Sequence, residues 1–116
     1  MPRVLTYLAC PYSHHDPAIR RARFEIACRV AGLLMNRGKT VFSPISHTHP
    51  IAIHCNLALG WGAWEKFDTA YLTCSKEMYV LTIKGWVEST GVQSEIAIAK
   101  KLNIPITYID EHGNKV

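Results

Sequence analysis

The sequence predicts a three-layer α/β domain built on a mostly parallel sheet, and three observations predict it. Strand-like and helix-like stretches alternate along the chain. The strand-like runs are nearly continuous in apolar residues instead of alternating, as expected for strands covered by helices on both faces. Proline- or glycine-marked loops follow them, so the loops gather at the carboxyl ends of the strands, where open α/β sheets bind ligands. Strand–helix–strand crossovers are right-handed by default, which leaves few arrangements to choose from. With 116 residues, 48% of them hydrophobic, the chain can bury a modest core and reads as one domain over residues 1–116, without repeats or linkers.

The first strand is expected over residues 4–9, with Tyr7 on the same face as Leu5 and Ala9. Pro11 ends it, and residues 10–15 form the loop beyond. Asp16-Pro17 is an N-cap followed by proline at the first helical position, opening a long helix that closes at Asn36-Arg37-Gly38 with a glycine cap. Ile19, Ala22, Ile26, Val30, Leu33 and Leu34 are its expected buried stripe. Arg20, Arg21 and Arg23 fall in its first two turns, where the helix dipole disfavours cations; either they are tolerated at the surface or one of them holds an anion.

Residues 39–43 make a short second strand, and Pro44 then introduces a loop through Ser46-His-Thr-His-Pro50. His47-x-His49 has a spacing that can chelate a metal, but no acidic third ligand or close cysteine pair accompanies it. Polar contacts lining a cleft are the expected role, with no metal. From Trp64 to about Cys74 a helix carries the apolar arc Cys74, Phe67, Tyr71, Trp64 and Leu72. Asp68 falls inside that arc, while Glu65, Lys66 and Thr69 face outward.

Residues 78–83 are the third strand, and residues 85–90 its loop. With Thr90 as N-cap, Gln93 completes a capping box, and the next helix runs to about Leu102 before Asn103 and Pro105 stop it. Val92, Ile96, Ile98, Ala99 and Leu102 fill one arc of that helix, and Glu95 lies near the middle of the arc. Residues 104–109 are the last strand and residues 110–116 a polar tail. Two helices thus each point an acid inward. A carboxylate facing a core must be paired, protonated or open to a cavity, since burying it ionised and alone costs many kcal/mol. The loops after the first three strands allow Tyr7, Asp68 and Glu95 to converge in one cleft.

Composition narrows the partners. The net charge of +4 is mild, and its excess sits in Arg20, Arg21, Arg23, Arg29, Arg37 and Lys39 around one helix without interleaved aromatics, a solvated face rather than a nucleic-acid surface. Cys10, Cys28, Cys55 and Cys74 are far apart and form no CxxC pair, which argues against a zinc ribbon or a thioredoxin-type site. The apolar run beginning at Val4 reads as a strand rather than a signal peptide, so a reducing, cytoplasmic setting is expected. Residues 51–64 are interrupted by His54 and Asn56 and do not suit a membrane span.

In order and spacing, Tyr7-Leu-Ala-Cys-Pro11-Tyr12, Ser43-Pro-Ile-Ser46, Asp68 with its helix, and Gly91-x-x-x-Glu95-x-x-x-Ala99 resemble the nucleoside 2-deoxyribosyltransferase superfamily, in particular a small branch of it. The resemblance covers nearly the whole chain. It implies a flavodoxin-like three-layer sandwich with four to five strands, and a cofactor-free double displacement at the N-glycosidic bond of a 2'-deoxynucleoside or its 5'-monophosphate. By it, Glu95 attacks the anomeric carbon and forms a covalent deoxyribosyl-enzyme, Tyr7 positions that nucleophile, and Asp68 helps to handle the base. Pro11, Ser46 and Gly91, which stand in the matched motifs, are expected to bind substrate. The residues' own reading agrees on chemistry, because an oxocarbenium-like centre needs a carboxylate nucleophile and a leaving base needs a proton from a second acid. Read without the resemblance, Tyr7 is a strand core aromatic and Asp68 a buried helix-end anchor.

Transferases for free nucleosides in that superfamily commonly carry an Asp six positions before the nucleophile, where this chain has Ser89. Related nucleoside 5'-monophosphate N-glycosidases carry a Ser there, in contact with phosphate. A hydroxyl at a helix N-terminus suits a phosphate, and Ser13 and Arg20 would complete such a site. The resemblance also implies a homodimer or larger assembly. Trp61, Trp64 and Trp86 would suit its interface or wall the base pocket. Two alternatives stand beside the enzyme: a nucleotide-binding or sensing module without turnover, and a hydrolase of another N-glycoside such as an NAD-type dinucleotide. The inward Glu95 favours an enzyme, since a pocket for anionic nucleotides gains nothing from a buried carboxylate.

Overall fold

A computed structural model describes residues 2–57 and 61–116, with the side chains at positions 61 and 63 outside that description. Its elements are β1 (Leu5–Ala9), α1 (Pro17–Asn36), β2 (Thr40–Phe42), α2 (Pro44–Cys55), α3 (Trp61–Thr73), β3 (Ser75–Leu81), α4 (Thr90–Lys101) and β4 (Ile106–Ile109). The four strands form an all-parallel sheet in the order β2-β1-β3-β4, a flavodoxin-like arrangement. The chain winds outward from β1 to β2 and then returns to place β3 on the other side of β1. The topological switch point therefore lies between β1 and β3, and a crevice is expected beyond their carboxyl ends.

Alternate residues of β1 feed two cores. Tyr7 and Ala9 point to one face, where they pack with Leu72 of α3, Met78 and Val80 of β3, and Val92, Ile96 and Ala99 of α4. Leu8, with Cys10 beyond the strand end, points to the other face, against Ala27, Val30, Ala31 and Leu34 of α1. The sheet is thus covered on both sides, which is why its strands read as unbroken apolar runs.

Four expectations about local structure change. Residues 44–55 are a helix, α2, and not a loop. Ser43 caps it, its hydroxyl accepting from the Ser46 amide at 3.4 Å, and Pro44 occupies the first turn; this is the same cap-then-proline start as Asp16-Pro17 in α1. Pro50 sits inside α2 and removes one backbone donor from its ladder, and Asn56 ends it in the left-handed region at φ +52°. In α1 the buried stripe is Ala27, Val30, Ala31 and Leu34, while Ile19 and Ala22 are exposed. The cause is length. A 20-residue helix spans about 30 Å and a five-residue strand about 17 Å, so the first turns of α1 overhang the carboxyl edge of the sheet.

In α3 the apolar arc is wider than the face that is covered. Asp68 and Leu72 are buried, but Phe67, Tyr71 and the Cys74 beyond it are exposed, with Tyr71 stacked on Phe42 at 4.0 Å. The cap of α4 is Ser89, one residue before Thr90; its hydroxyl accepts from the Val92 amide at 3.1 Å. Gln93 therefore falls outside a capping box, and its amide nitrogen donates to the Trp86 carbonyl instead. Residues 110–116 fold back on the sheet, where Lys115 bridges Ile109 and Arg37 donates to the Gly113 carbonyl at 3.0 Å. Among the described residues no helix is long and apolar enough to cross a membrane.

Candidate active site

Three elements bring three ionisable side chains to the crevice. Tyr7, wholly buried on β1, donates its hydroxyl to Oε2 of Glu95 on α4. Glu95 is 4% exposed because its helix packs an otherwise apolar face on the sheet. Asp68 reaches in from α3, buried likewise, and its Oδ1 has no hydrogen-bond partner. An unsatisfied buried carboxylate oxygen is costly and calls for a ligand or a proton.

Asp68 and Glu95 line a cavity of about 410 Å³, with Tyr7 behind Glu95. Cys10, Tyr12 and Ser13 line it from the loop after β1, Ile45 and Thr48 from α2, and Gly62, Trp64 and Asp68 from α3. The opposite wall is Glu88 and Ser89 from the loop after β3, followed by Thr90, Gly91 and Glu95 of α4. The described lining contains three carboxylates and no Lys, Arg or His.

Burial sets the protonation of the site. It pushes the Glu95 carboxyl up to about 8; the Tyr7 hydrogen bond pulls it back down and the neighbouring Asp68 charge raises it further. Burial alone carries Asp68 up to about 6. The Tyr7 phenol is held well above its usual range, first by burial and then by the negative charges of Glu95 and Asp68. Two interacting carboxyls titrate as a pair, so the pair holds one proton between about pH 6 and pH 8.

The substrate-binding residues expected from the sequence divide. Ser13, Ser89 and Gly91 line the cavity with Asp68 and Glu95, and Tyr7 reaches Glu95 through its hydroxyl. Pro11 is fully buried under the β1 loop and is not part of the lining. Arg20 donates to the His14 carbonyl, outside the cavity. Ser46 bonds to the Ser43 hydroxyl at 2.8 Å and lies 3.2 Å from the Cys28 sulfur, and Trp86 packs on Tyr108 at the other side of the α4 core. Trp64 lines the cavity, whereas the Trp61 side chain lies outside the described residues.

Tyr12 and Thr48 belong to the wall and were not anticipated. The Tyr12 hydroxyl meets Nδ1 of buried His49 at 2.6 Å, and the His49 ring stacks on Phe24 at 4.2 Å. A Ser-Pro cap before residue 45 was the signal that could have placed Thr48 and His49 on a helix. His47 and His49, two positions apart on α2, point about 200° away from each other. His47 instead lies near Phe42 and Tyr71. Among the described residues no group of three or more His, Cys, Asp or Glu side chains is placed to hold a metal ion.

Comparison with known proteins gives a family and a likeness to solved structures. Residues 4–111 match the family described as Domain of unknown function (DUF1937). Among curated proteins none matches. Among solved structures, one from a study characterising a 2-deoxyribosyltransferase of the psychrotolerant bacterium Bacillus psychrosaccharolyticus aligns with a TM-score of 0.63 at 19% identity, over 97% of this chain and 76% of that one. The likeness establishes a shared fold.

Proposed function

The chain belongs to the family described as Domain of unknown function (DUF1937), and from that premise we propose that it cleaves the N-glycosidic bond of a 2'-deoxynucleoside or deoxynucleotide, as a deoxyribosyltransferase or N-glycosidase. The observation that carries the reading is a buried Glu95 held by the Tyr7 hydroxyl, with an unpartnered Asp68 oxygen in the same cavity. A Glu95 carboxylate oxygen attacks the anomeric carbon as the bond to the base nitrogen breaks, and the electron pair of that bond leaves with the base. Asp68 delivers the proton that the departing base needs. Water or a second base then attacks the anomeric carbon, frees Glu95 and returns a proton to Asp68.

The site must therefore carry one proton between its two acids. The Tyr7 O–H bond stabilises the ionised form of Glu95, but burial outweighs it and leaves Glu95 at about 8 against about 6 for Asp68, so the reactive arrangement, Glu95 ionised and Asp68 protonated, is the minor one of the two. Ser13, Ser89 and Gly91 are proposed to hold the sugar. With three carboxylates and no Lys, Arg or His among the described lining residues, an uncharged deoxynucleoside is favoured over its 5'-monophosphate. The exposed apolar side chains of Ile53, Phe67 and Tyr71 suit a homodimer or larger assembly, and four unbridged cysteines suit a reducing cytoplasm.

The test is incubation with a panel of deoxynucleosides, their monophosphates and an NAD-type dinucleotide, with free base followed by chromatography. Base release that vanishes in Glu95→Gln, with the fold intact by circular dichroism, supports the enzyme. Tight binding without release from any donor supports a sensing module, and release from the dinucleotide alone assigns the same chemistry to another N-glycoside.

A further inference from the structure

The loops that wall the cavity are joined from behind by one side chain. Arg23 stands in the second turn of α1, on the part of the helix that overhangs the sheet edge. Its Nη1 donates to the carbonyl of Ser13 at 3.1 Å and, more weakly, to that of Tyr12 at 3.4 Å, both in the loop after β1. Its Nη2 reaches the carbonyl of Lys84 at 3.5 Å, in the loop after β3. Tyr12 and Ser13 line the cavity on one side, and residues 88–91, which continue from Lys84, line it on the other. The guanidinium thus spans the switch point between β1 and β3, where the two loops diverge.

We infer that Arg23 is a positioning residue that sets the width of the cavity mouth by tying the loop after β1 to the loop after β3; the inference rests on the proposed substrate site. Gly85 supplies an independent sign of it. Its φ of +96° is a backbone conformation that favours glycine, and a Cβ there would run into the Arg23 guanidinium, so the loop comes close to the cation at a glycine. A planar fork with five N–H donors can serve carbonyls of two loops at once, which a lysine ammonium on a flexible stem cannot do in the same geometry. The role also accounts for a cation near the start of α1, where the helix dipole disfavours one. The same side chain walls a second cavity of about 500 Å³ on the α1 side of the sheet, and Glu88 lines both cavities, so Arg23 and the β3 loop form the partition between them.

Tyr7 and Glu95 are held by the core and not by this tie. Loss of the tie therefore weakens the grip on substrate and leaves the nucleophile in place. Arg23→Ala is expected to raise KM for the best deoxynucleoside about tenfold while kcat stays within about threefold, with Arg23→Lys recovering only part of the loss. A kcat loss at unchanged KM, or full recovery by lysine, would overturn the inference.

Amide hydrogen exchange decides the matter apart from turnover. In Arg23→Ala, peptides covering residues 12–15 and 84–89 exchange faster together, while residues 95–99 of α4 keep their protection. Faster exchange in one loop alone, or in neither, overturns the tie whether or not the protein proves to be an enzyme. Absence of base release by the unaltered protein from every donor would sink the proposed function and leave the exchange result to judge Arg23.

Discussion

The Tyr7 hydroxyl donates to the Glu95 carboxylate across 88 positions of sequence, from the middle of the first strand to the second turn of the last helix. Only the β1–β3–α4 packing brings them together, so the pair reports the fold as directly as any core contact. Two effects of opposite sign act on Glu95. The hydrogen bond favours the carboxylate, burial disfavours it, and burial wins, leaving the group at about 8. A side chain that stabilises nothing at neutral pH is a cost to the fold, and the proposed chemistry would account for it.

That cost is measurable. The folded value of about 8 lies above the ordinary value of 4.5, so Glu95 favours the folded state fully at pH below about 4.5 and loses that contribution as pH rises through 8. Glu95→Gln is uncharged and keeps an acceptor for the Tyr7 hydroxyl. It should be stabilised by about 2–4 kcal/mol at pH 9 and by almost nothing at pH 4.5, while base release falls by a factor of about 10³ or more. Urea unfolding at the two pH values checks this; a gain independent of pH would show that Glu95 keeps its ordinary value in the fold.

The pair also fixes a pH profile. Below about pH 6 both Asp68 and Glu95 are protonated and no nucleophile is present; above about 8 both are ionised and no proton is left for the base. The dependence of kcat/KM on pH should be a bell centred near 7, with limbs at about 6 and 8. A profile that rises and then stays level to pH 10 would remove the second acid from the mechanism.

Much of this was legible in the sequence, and the reason is periodicity. Stepping round residues 90–102 puts Glu95 in the middle of an apolar arc, and stepping round residues 64–74 does the same for Asp68; both prove to be buried. The alternation of continuous apolar runs with amphipathic ones gave the parallel sheet. Less was legible where the signal was two residues long or depended on how far an element extends. Ser43-Pro44 opens α2, but the run of His, Thr and Pro behind it has little helical propensity, and tertiary packing decides. The α1 stripe was displaced because periodicity reports the phase of a helix and not where the sheet beneath it ends. Arg23 was visible only as a cation in an unfavourable place; its carbonyl partners lie 10, 11 and 61 positions away.

Ser89 joins the helix to the cavity, since its hydroxyl caps α4 at the Val92 amide and also lines the cleft. Ser89→Ala should cost about 1 kcal/mol of stability from the lost cap. Ser89→Asp keeps a capping oxygen and restores that stability, but adds a fourth acid to the lining. It should weaken deoxynucleoside monophosphates much more than deoxynucleosides in KM measurements. Equal effects on both donors would separate Ser89 from the 5' end of the substrate.

Asp68→Asn tests the division of labour between the acids. The substitution removes the charge that pushes Glu95 upward, so Glu95 titrates alone and at a lower pH. The alkaline limb of the profile should disappear because no second proton is left to lose, while the acid limb persists below 8. Turnover should fall about 10²-fold or more for deoxynucleosides whose base leaves poorly, and much less for donors with an acidic leaving group that departs without a proton. Equal losses on both kinds of donor would make Asp68 a contact for the sugar or base and not the proton source.

Tyr7→Phe isolates the hydrogen bond. Phenylalanine keeps the ring in the core against Phe42, 6.1 Å away between centroids, and deletes only the donor. Because that bond lowers the Glu95 value, its loss moves the carboxyl further up and leaves a smaller ionised fraction at pH 7. The acid limb of kcat/KM should move to higher pH, and activity at pH 7 should drop about 10- to 100-fold, with partial recovery as pH is raised. Stability should change by only about 1 kcal/mol, since one neutral hydrogen bond is lost and no volume is. A fall in activity that is the same at every pH would mean that Tyr7 orients Glu95 without tuning its charge, and the shared-proton mechanism would then rest on Asp68 alone.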